Sequence, residues 1–203
     1  MAVSVRQLRQ HFTLESSLTP GGWALDNSEG AGEPVFRTAR LADLDDIAAL
    51  EREHFGDLCY PYVTLRQLFD LHGPDWVVAE IGGRVRGYAL VGVGTRRRGW
   101  VMGLAVAPNY RNRGLGRALL DRAVTSCRTA QADSVYLTVR PTDQRTVKLY
   151  KNAGFRWAGY EQRYFGADEP RDVLVHRIDH WPTTSRFPGP NDKRWLKGGR
   201  APD

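Results

Sequence analysis

The chain has 203 residues, 41% of them hydrophobic and 26% charged, with a formal net charge of +6. Those values suit one globular domain with its own core, and no apolar run approaches the roughly 20 residues of a membrane span. The two cysteines, Cys59 and Cys127, lie far apart without metal-ligand spacing, which argues against a disulfide framework or a metal site and fits a reducing compartment.

Residues 1–33 begin MAVSVRQLRQHF, without the apolar core of about 7–15 residues that a signal peptide carries, so the cytoplasm is the expected location. They end in a polar, glycine-rich stretch and read as a flexible N-terminal arm. Val35 to Thr38 then reads as a short strand. Asp43 is a candidate N-cap for a helix with apolar positions Leu44, Ile47, Ala48 and Leu50. Pro61 breaks the chain, and Thr64 to Leu71 is a second short helix. Trp76 to Ile81 is a strand, and Gly82-Gly83 predicts a hairpin turn into Val85 to Gly94. A turn at Arg96 to Gly99 leads to the strand Trp100 to Val106.

A long helix follows from Gly114 to about Ala130, with Leu115, Leu119, Ala123 and Cys127 spaced by four. Val135 to Val139 is a buried strand, Asp143 to Ala153 a helix, and Trp157–Tyr164 with Val173–Ile178 a closing strand pair. Residues 34–179 thus read as one α/β (α+β) domain in the order β-α-α-β-β-β-α-β-α-β-β. Early hairpins followed by a strand–helix–strand crossover predict a mixed, mostly antiparallel sheet with helices on both faces. Residues 180–203 form an irregular, basic tail rich in Pro and Gly.

The net positive charge favours anionic partners: a phosphorylated cofactor, nucleic acid or an acidic protein surface. The stretch that chooses among them is Leu104 to Leu120. An apolar strand stops at Pro108, a polar loop follows, and a helix opens at Gly114-Leu115-Gly116. Glycines let a ligand approach the backbone closely. The unpaired N–H groups of the first helical turn, with the positive end of the helix dipole behind them, favour a pyrophosphate. Arg111, Arg113 and Arg117 add full charges. A Walker loop would need Gly-Lys-Ser/Thr where Gly116-Arg117 stands, and a dinucleotide fingerprint a third glycine where Leu119 stands. By themselves these residues also fit a glycine-rich helix start without a ligand.

Arg111-Asn112-Arg113-Gly114-Leu115-Gly116, directly after a strand ending Val-Ala-Pro, resembles the acetyl-CoA signature of the GNAT (GCN5-related) N-acetyltransferase superfamily. A second block, Asp143 to Phe155, is similar to that family's Asn-x-x-Ala-x-x-Leu-Tyr-x-x-x-Gly-Phe helix. The resemblance covers roughly Val35 to Ile178 and is nearest to the ribosomal-protein and N-terminal acetyltransferases. It implies the GNAT fold and direct attack of a primary amine on the acetyl-CoA thioester. It further implies that Leu104, Ala105 and Val106 pair with the pantetheine arm, that Arg111, Asn112, Arg113, Gly114, Leu115, Gly116 and Arg117 hold the pyrophosphate, and that Tyr150 protonates the departing thiolate.

Two departures stand out. The family's cofactor-contacting asparagine is Asp143 here, better suited to capping its helix than to touching phosphates. The glutamate base of the ribosomal-protein and N-terminal acetyltransferases is replaced by Thr138, so the base comes from elsewhere or acts through water. Glu80 on a neighbouring strand, and Glu53, His54 or Asp57 in the segment that faces the acceptor, are the candidates. The closing hairpin, Tyr160 to Val173, is similar to that of the N-terminal acetyltransferases and favours a peptide or protein amine. A small-molecule or antibiotic amine is the alternative, with Cys59-Tyr60-Pro61-Tyr62 as a possible acceptor wall or a simple hydrophobic turn. Two other readings are a non-catalytic acetyl-CoA binder and a nucleic-acid binder using Arg96–Arg98 with Lys193, Arg194, Trp195, Lys197 and Arg200.

Overall fold

The computed structural model describes residues 32–178. The expected basic tail, and the arm through residue 31, lie outside the described residues. Within them the chain forms β1 (Val35–Thr38), α1 (Leu44–Phe55), α2 (Tyr62–His72), β2 (Val77–Ile81), β3 (Arg84–Val93) and β4 (Arg98–Val106). Then come α3 (Leu115–Thr129), β5 (Ser134–Val139), α4 (Gln144–Asn152), β6 (Arg156–Glu161) and β7 (Arg171–Arg177). The seven strands make one sheet in the order β1-β2-β3-β4-β5-β7-β6. Every neighbouring pair is antiparallel except β4 with β5, which α3 connects as a crossover.

Alternation along β3 sorts the helices. Tyr88 points to α1, where its hydroxyl meets Glu51, whereas the next residue back, Gly87, faces Leu119 of α3. Successive side chains of a strand leave opposite faces, so α1 and α3 cover opposite sides of the sheet. The hairpin glycines Gly82 and Gly83 have φ of 60° and 74°, the left-handed pair that a tight two-residue turn requires.

The sheet side under α3 is packed to contact. A Cβ at Gly99 would stand 2.5 Å from Cys127 Sγ, and burial pushes that thiol up to about 12, so Cys127 is a core residue and not a nucleophile. Gly99→Ala therefore destabilises the fold by about 1–3 kcal/mol through overpacking, measured as a lower denaturant midpoint with the slope unchanged.

Some boundaries differ from the sequence reading. Arg98 and Gly99, expected in a turn, open β4 because they pair with β5 and β3. Gln162 to Tyr164, expected in a strand, belong to the β6–β7 loop, since pairing with β7 stops at Glu161. The expected Arg96–Arg98 run is largely engaged: Arg97 pairs with Asp133 at 2.8 Å and donates to the Gln131 carbonyl at 2.7 Å, and Arg98 lies over the Tyr136 ring.

What positions the site is a split in the sheet. β4 and β5 pair only from Arg98–Trp100 to Ser134–Tyr136. The β3–β4 register then skips Met102 between Val101 and Gly103. Such a bulge bends its strand, and the rings of Trp100 and Tyr136, stacked at 5.2 Å, mark where the strands part. From Val101 onward the β5-facing edge of β4 has no partner strand. Among the described residues no helix is long and apolar enough to cross a membrane, and no cluster of His, Cys, Asp and Glu could hold a metal ion.

Candidate active site

The parted strands open a cavity of about 720 Å³. The outer half of β4 forms one wall, the end of β5 and α4 the other, and the start of α3 its floor. Gly114 is the N-cap of α3 at φ 83°, a conformation that strains residues with a Cβ. It offers no side chain to the helix start, and the first amide satisfied there is Ala118, which donates to the Gly114 carbonyl at 3.0 Å. The amides of Leu115, Gly116 and Arg117 are thus left for a ligand. At Gly116 a Cβ would reach only 3.9 Å from Val106 and Leu149. The protein has room for a Cβ there, so the packing does not explain this glycine.

Arg111, Arg117, Arg140, Arg145 and Arg171 line the cavity against the carboxylates of Glu51 and Asp143, an excess of positive charge suited to a polyanion. Arg111 donates from Nε to the Val106 carbonyl at 2.9 Å and from its terminal nitrogen to His54 Nδ1 at 3.1 Å, which straps the loop to the end of β4. Arg117 bonds Asp121 and, at 2.9 Å, the Asn152 carbonyl, fixing α3 against α4. Of the expected cofactor residues, Leu104, Ala105, Val106, Asn112, Gly114 and Gly116 also line the cavity. Arg113 lies over the Tyr110 ring, and the Leu115 side chain is buried in the core; neither side chain borders the space.

Tyr150 lines the same cavity from α4 and is 7% exposed. Burial, and after it the charge of Asp143, raises its hydroxyl well above the usual phenol value. Asp143 does cap α4: its carboxylate accepts from the Thr146 amide at 3.0 Å.

The expected bases are dispersed. Glu80 is held at the β1–β2 edge, where its carboxylate accepts from Arg37 Nε at 2.8 Å, and it does not border the cavity. Arg37 also binds Asp43, so a cross-strand ion-pair network occupies Glu80. Glu53 and Asp57 do not line the cavity either. His54 does, and burial together with Arg111 lowers its pKa, keeping the ring neutral. The residue missed by sequence reasoning is Glu51. It is 1% exposed, lines the cavity, accepts from the Tyr60 amide at 3.0 Å and bonds the Tyr88 hydroxyl. Its signal was a charged residue on the buried stripe of α1, four positions after Ile47 and seven after Leu44.

Beyond Met102 a second chamber of about 280 Å³ adjoins the first and shares Tyr60, Val101, Met102, Thr138 and Phe165 with it. His72, Trp100 and Tyr164 complete an aromatic lining without a carboxylate. The β6–β7 loop that carries Tyr164 and Phe165 is pinned by Glu169, which bonds Arg140 at 3.0 Å and Arg171 at 2.8 Å, while Arg171 lies over the Phe165 ring.

The family model described as the acetyltransferase (GNAT) family matches residues 41–155. The chain belongs to this family. This GNAT enzyme is 35% identical to an N-alpha-acetyltransferase RimI of Mycobacterium tuberculosis over 149 residues, covering 67% of the present chain and 89% of the relative. It is 29% identical to an N-alpha-acetyltransferase of Sulfurisphaera tokodaii, over 69% of the present chain and 90% of that one. Its fold superposes on the ribosomal-protein-S18-alanine N-acetyltransferase of Escherichia coli with a TM-score of 0.65 at 19% identity, covering 76% of the chain and all of that structure (100%). The GNAT chain is an acetyl-CoA-dependent N-acetyltransferase.

Proposed function

We propose that this acetyltransferase acts in the cytoplasm on the terminal amine of a peptide or protein, with Tyr150 as proton donor to the departing thiolate. The observation that carries the reading is the aromatic second chamber, which adjoins the cavity between β4 and β5. A polycationic amine, such as a polyamine or an aminoglycoside, needs carboxylates to replace its lost hydration. The chamber offers rings and the backbone of Gly92 and Gly94 instead, which suits an uncharged first side chain of a peptide. Kinship to proteins named N-alpha-acetyltransferases supports the same choice. Both cysteines are unpaired, as suits a reducing compartment.

In this reading the amides of Leu115, Gly116 and Arg117 bind the pyrophosphate, with Arg111 and Arg117 as the adjacent charges. The open edge of β4 at Leu104, Ala105 and Val106 takes the pantetheine arm and offers amides to the thioester carbonyl, a preorganised stabilisation of the developing oxyanion. The amine nitrogen attacks the carbonyl carbon, the C–S bond breaks, and the thiolate receives a proton from Tyr150. The phenol is restored by the proton the new amide nitrogen loses.

Thiol release from acetyl-CoA, followed across peptides, spermidine and an aminoglycoside, tests the acceptor. Peptides with an apolar first residue give the highest kcat/KM, and those with an acidic first residue fall below them. Faster turnover of spermidine or the aminoglycoside than of every peptide overturns the assignment.

A further inference from the structure

Glu51 is a buried carboxylate that the mechanism above leaves unused. It sits on the cavity wall between two donors, the Tyr88 hydroxyl from β3 and the Tyr60 amide from the α1–α2 segment. Its Oε1 lies 3.0 Å from where a Cβ of Gly103 would stand, so only a glycine on β4 leaves space in front of it. Among the described residues no cation pairs with it. The titratable groups facing it are Tyr88 and Tyr60, with Cys59 beside Tyr88 and His54 one turn further along α1, held neutral by burial and Arg111. A buried anion without a partner is costly, and an acceptor amine reaches this cavity as an ammonium at neutral pH.

We infer that Glu51 is the base that receives the acceptor's ammonium and takes its proton before attack. The assignment rests on the peptide-amine reading for the identity of the acceptor alone. The ammonium transfers one proton to the Glu51 carboxylate and becomes a free amine. That amine forms the C–N bond as the C–S bond breaks, and the carboxyl proton then leaves to solvent. Burial raises the Glu51 pKa above the usual carboxylate range, the two hydrogen bonds opposing it, which brings the base closer to the amine it must deprotonate. The carboxylate is the working form, so activity rises as pH climbs through this raised value.

The test is the pH dependence of kcat/KM for an apolar-first peptide in the wild type, Glu51→Gln and Glu51→Asp. Glutamine keeps both hydrogen bonds by accepting from the Tyr60 amide and donating to the Tyr88 oxygen. In the wild type kcat/KM is flat across the amine's own pKa of about 7.7–8.0, because below that value Glu51 takes the ammonium's proton and above it the free amine enters directly. The Gln variant needs the free amine, so its kcat/KM keeps climbing about tenfold per pH unit up to that value. Near pH 6 it lies on the order of 10²-fold below the wild type. The Asp variant partly restores the flat region, and affinity for CoA is unchanged in both.

A profile of unchanged shape in the Gln variant, whether at full or uniformly reduced rate, overturns the assignment. If the Gln variant fails to fold, Tyr88→Phe carries the same test. Loss of that donor raises the Glu51 pKa and moves the acid limb to higher pH, and an unmoved limb is equally fatal. Should the wild type acetylate only spermidine or the aminoglycoside, the peptide reading falls, and the Glu51 profile is read on that amine.

Discussion

Replacing Tyr150 by Phe lowers kcat by on the order of 10²-fold or more while Tm and CoA affinity stay in place. The expectation follows from what the substitution removes. The ring packs beside Phe155 at 6.0 Å between centroids, and Phe keeps that contact. The hydroxyl makes no hydrogen bond among the described residues, so its loss orphans no buried partner, the usual source of a large stability cost. What disappears is a proton facing the cavity where the C–S bond breaks. Because burial raises the Tyr150 pKa, the hydroxyl keeps its proton well above neutral pH. No alkaline fall in kcat from this residue is then expected up to about pH 9, the raised value lying above the usual phenol pKa of about 10. Steady-state kinetics with a fixed peptide, and thermal unfolding with and without CoA, check both halves. A kcat within about threefold of the wild type removes Tyr150 from the chemistry, since general-acid catalysis contributes at least about 10²-fold.

The order of helices and strands was legible because each element carries its own period. From Gly87 to Val93 β3 reads as a continuous apolar run, α3 repeats its apolar positions every three or four residues, and Gly82-Gly83 names its own turn. The proposed phosphate end could be marked out in the chain because a helix start, two glycines and arginines are contiguous there, and Arg111, Gly114, Gly116 and Arg117 line one cavity. The acceptor end could not. Tyr60, His72, Trp100 and Phe165 come from separate segments that meet only through the sheet order.

The base was missed for a related reason. Glu80 looked available because its partner Arg37 lies on another strand, reached across the β1–β2 pairing. Glu51 stands in the charged run Glu51-Arg52-Glu53-His54. Only its helical phase, on the face shared by Leu44, Ile47 and Ala48, shows that it points inward.

Gly116→Val abolishes measurable CoA binding, with Kd raised on the order of 10²-fold or more, while the unliganded protein keeps its Tm to within a few degrees. Gly114 would be a poorer choice for this test. At φ 83° any side chain there strains the backbone by about 1–2 kcal/mol, so lost binding would be confounded with lost folding. Gly116 is inside the helix, where Val costs only a few tenths of a kcal/mol more than Ala and gains over Gly. A Cβ at this position would stand 3.9 Å from its nearest neighbours, ordinary contact distance. Gly116 lines the cavity, so the added methyls enter the space against the first-turn amides. Loss of those donors removes charge-assisted hydrogen bonds worth about 1.5–3 kcal/mol each, and the loss of two of them corresponds to the expected change in Kd. Thermal shift reads it directly: CoA at 100 times the wild-type Kd stabilises the wild type by about 2.7 kcal/mol and the valine variant by no more than about 0.4 kcal/mol. Equal shifts in the two proteins would place the diphosphate elsewhere, and with it the cavity's role as the acetyl donor's seat would fail.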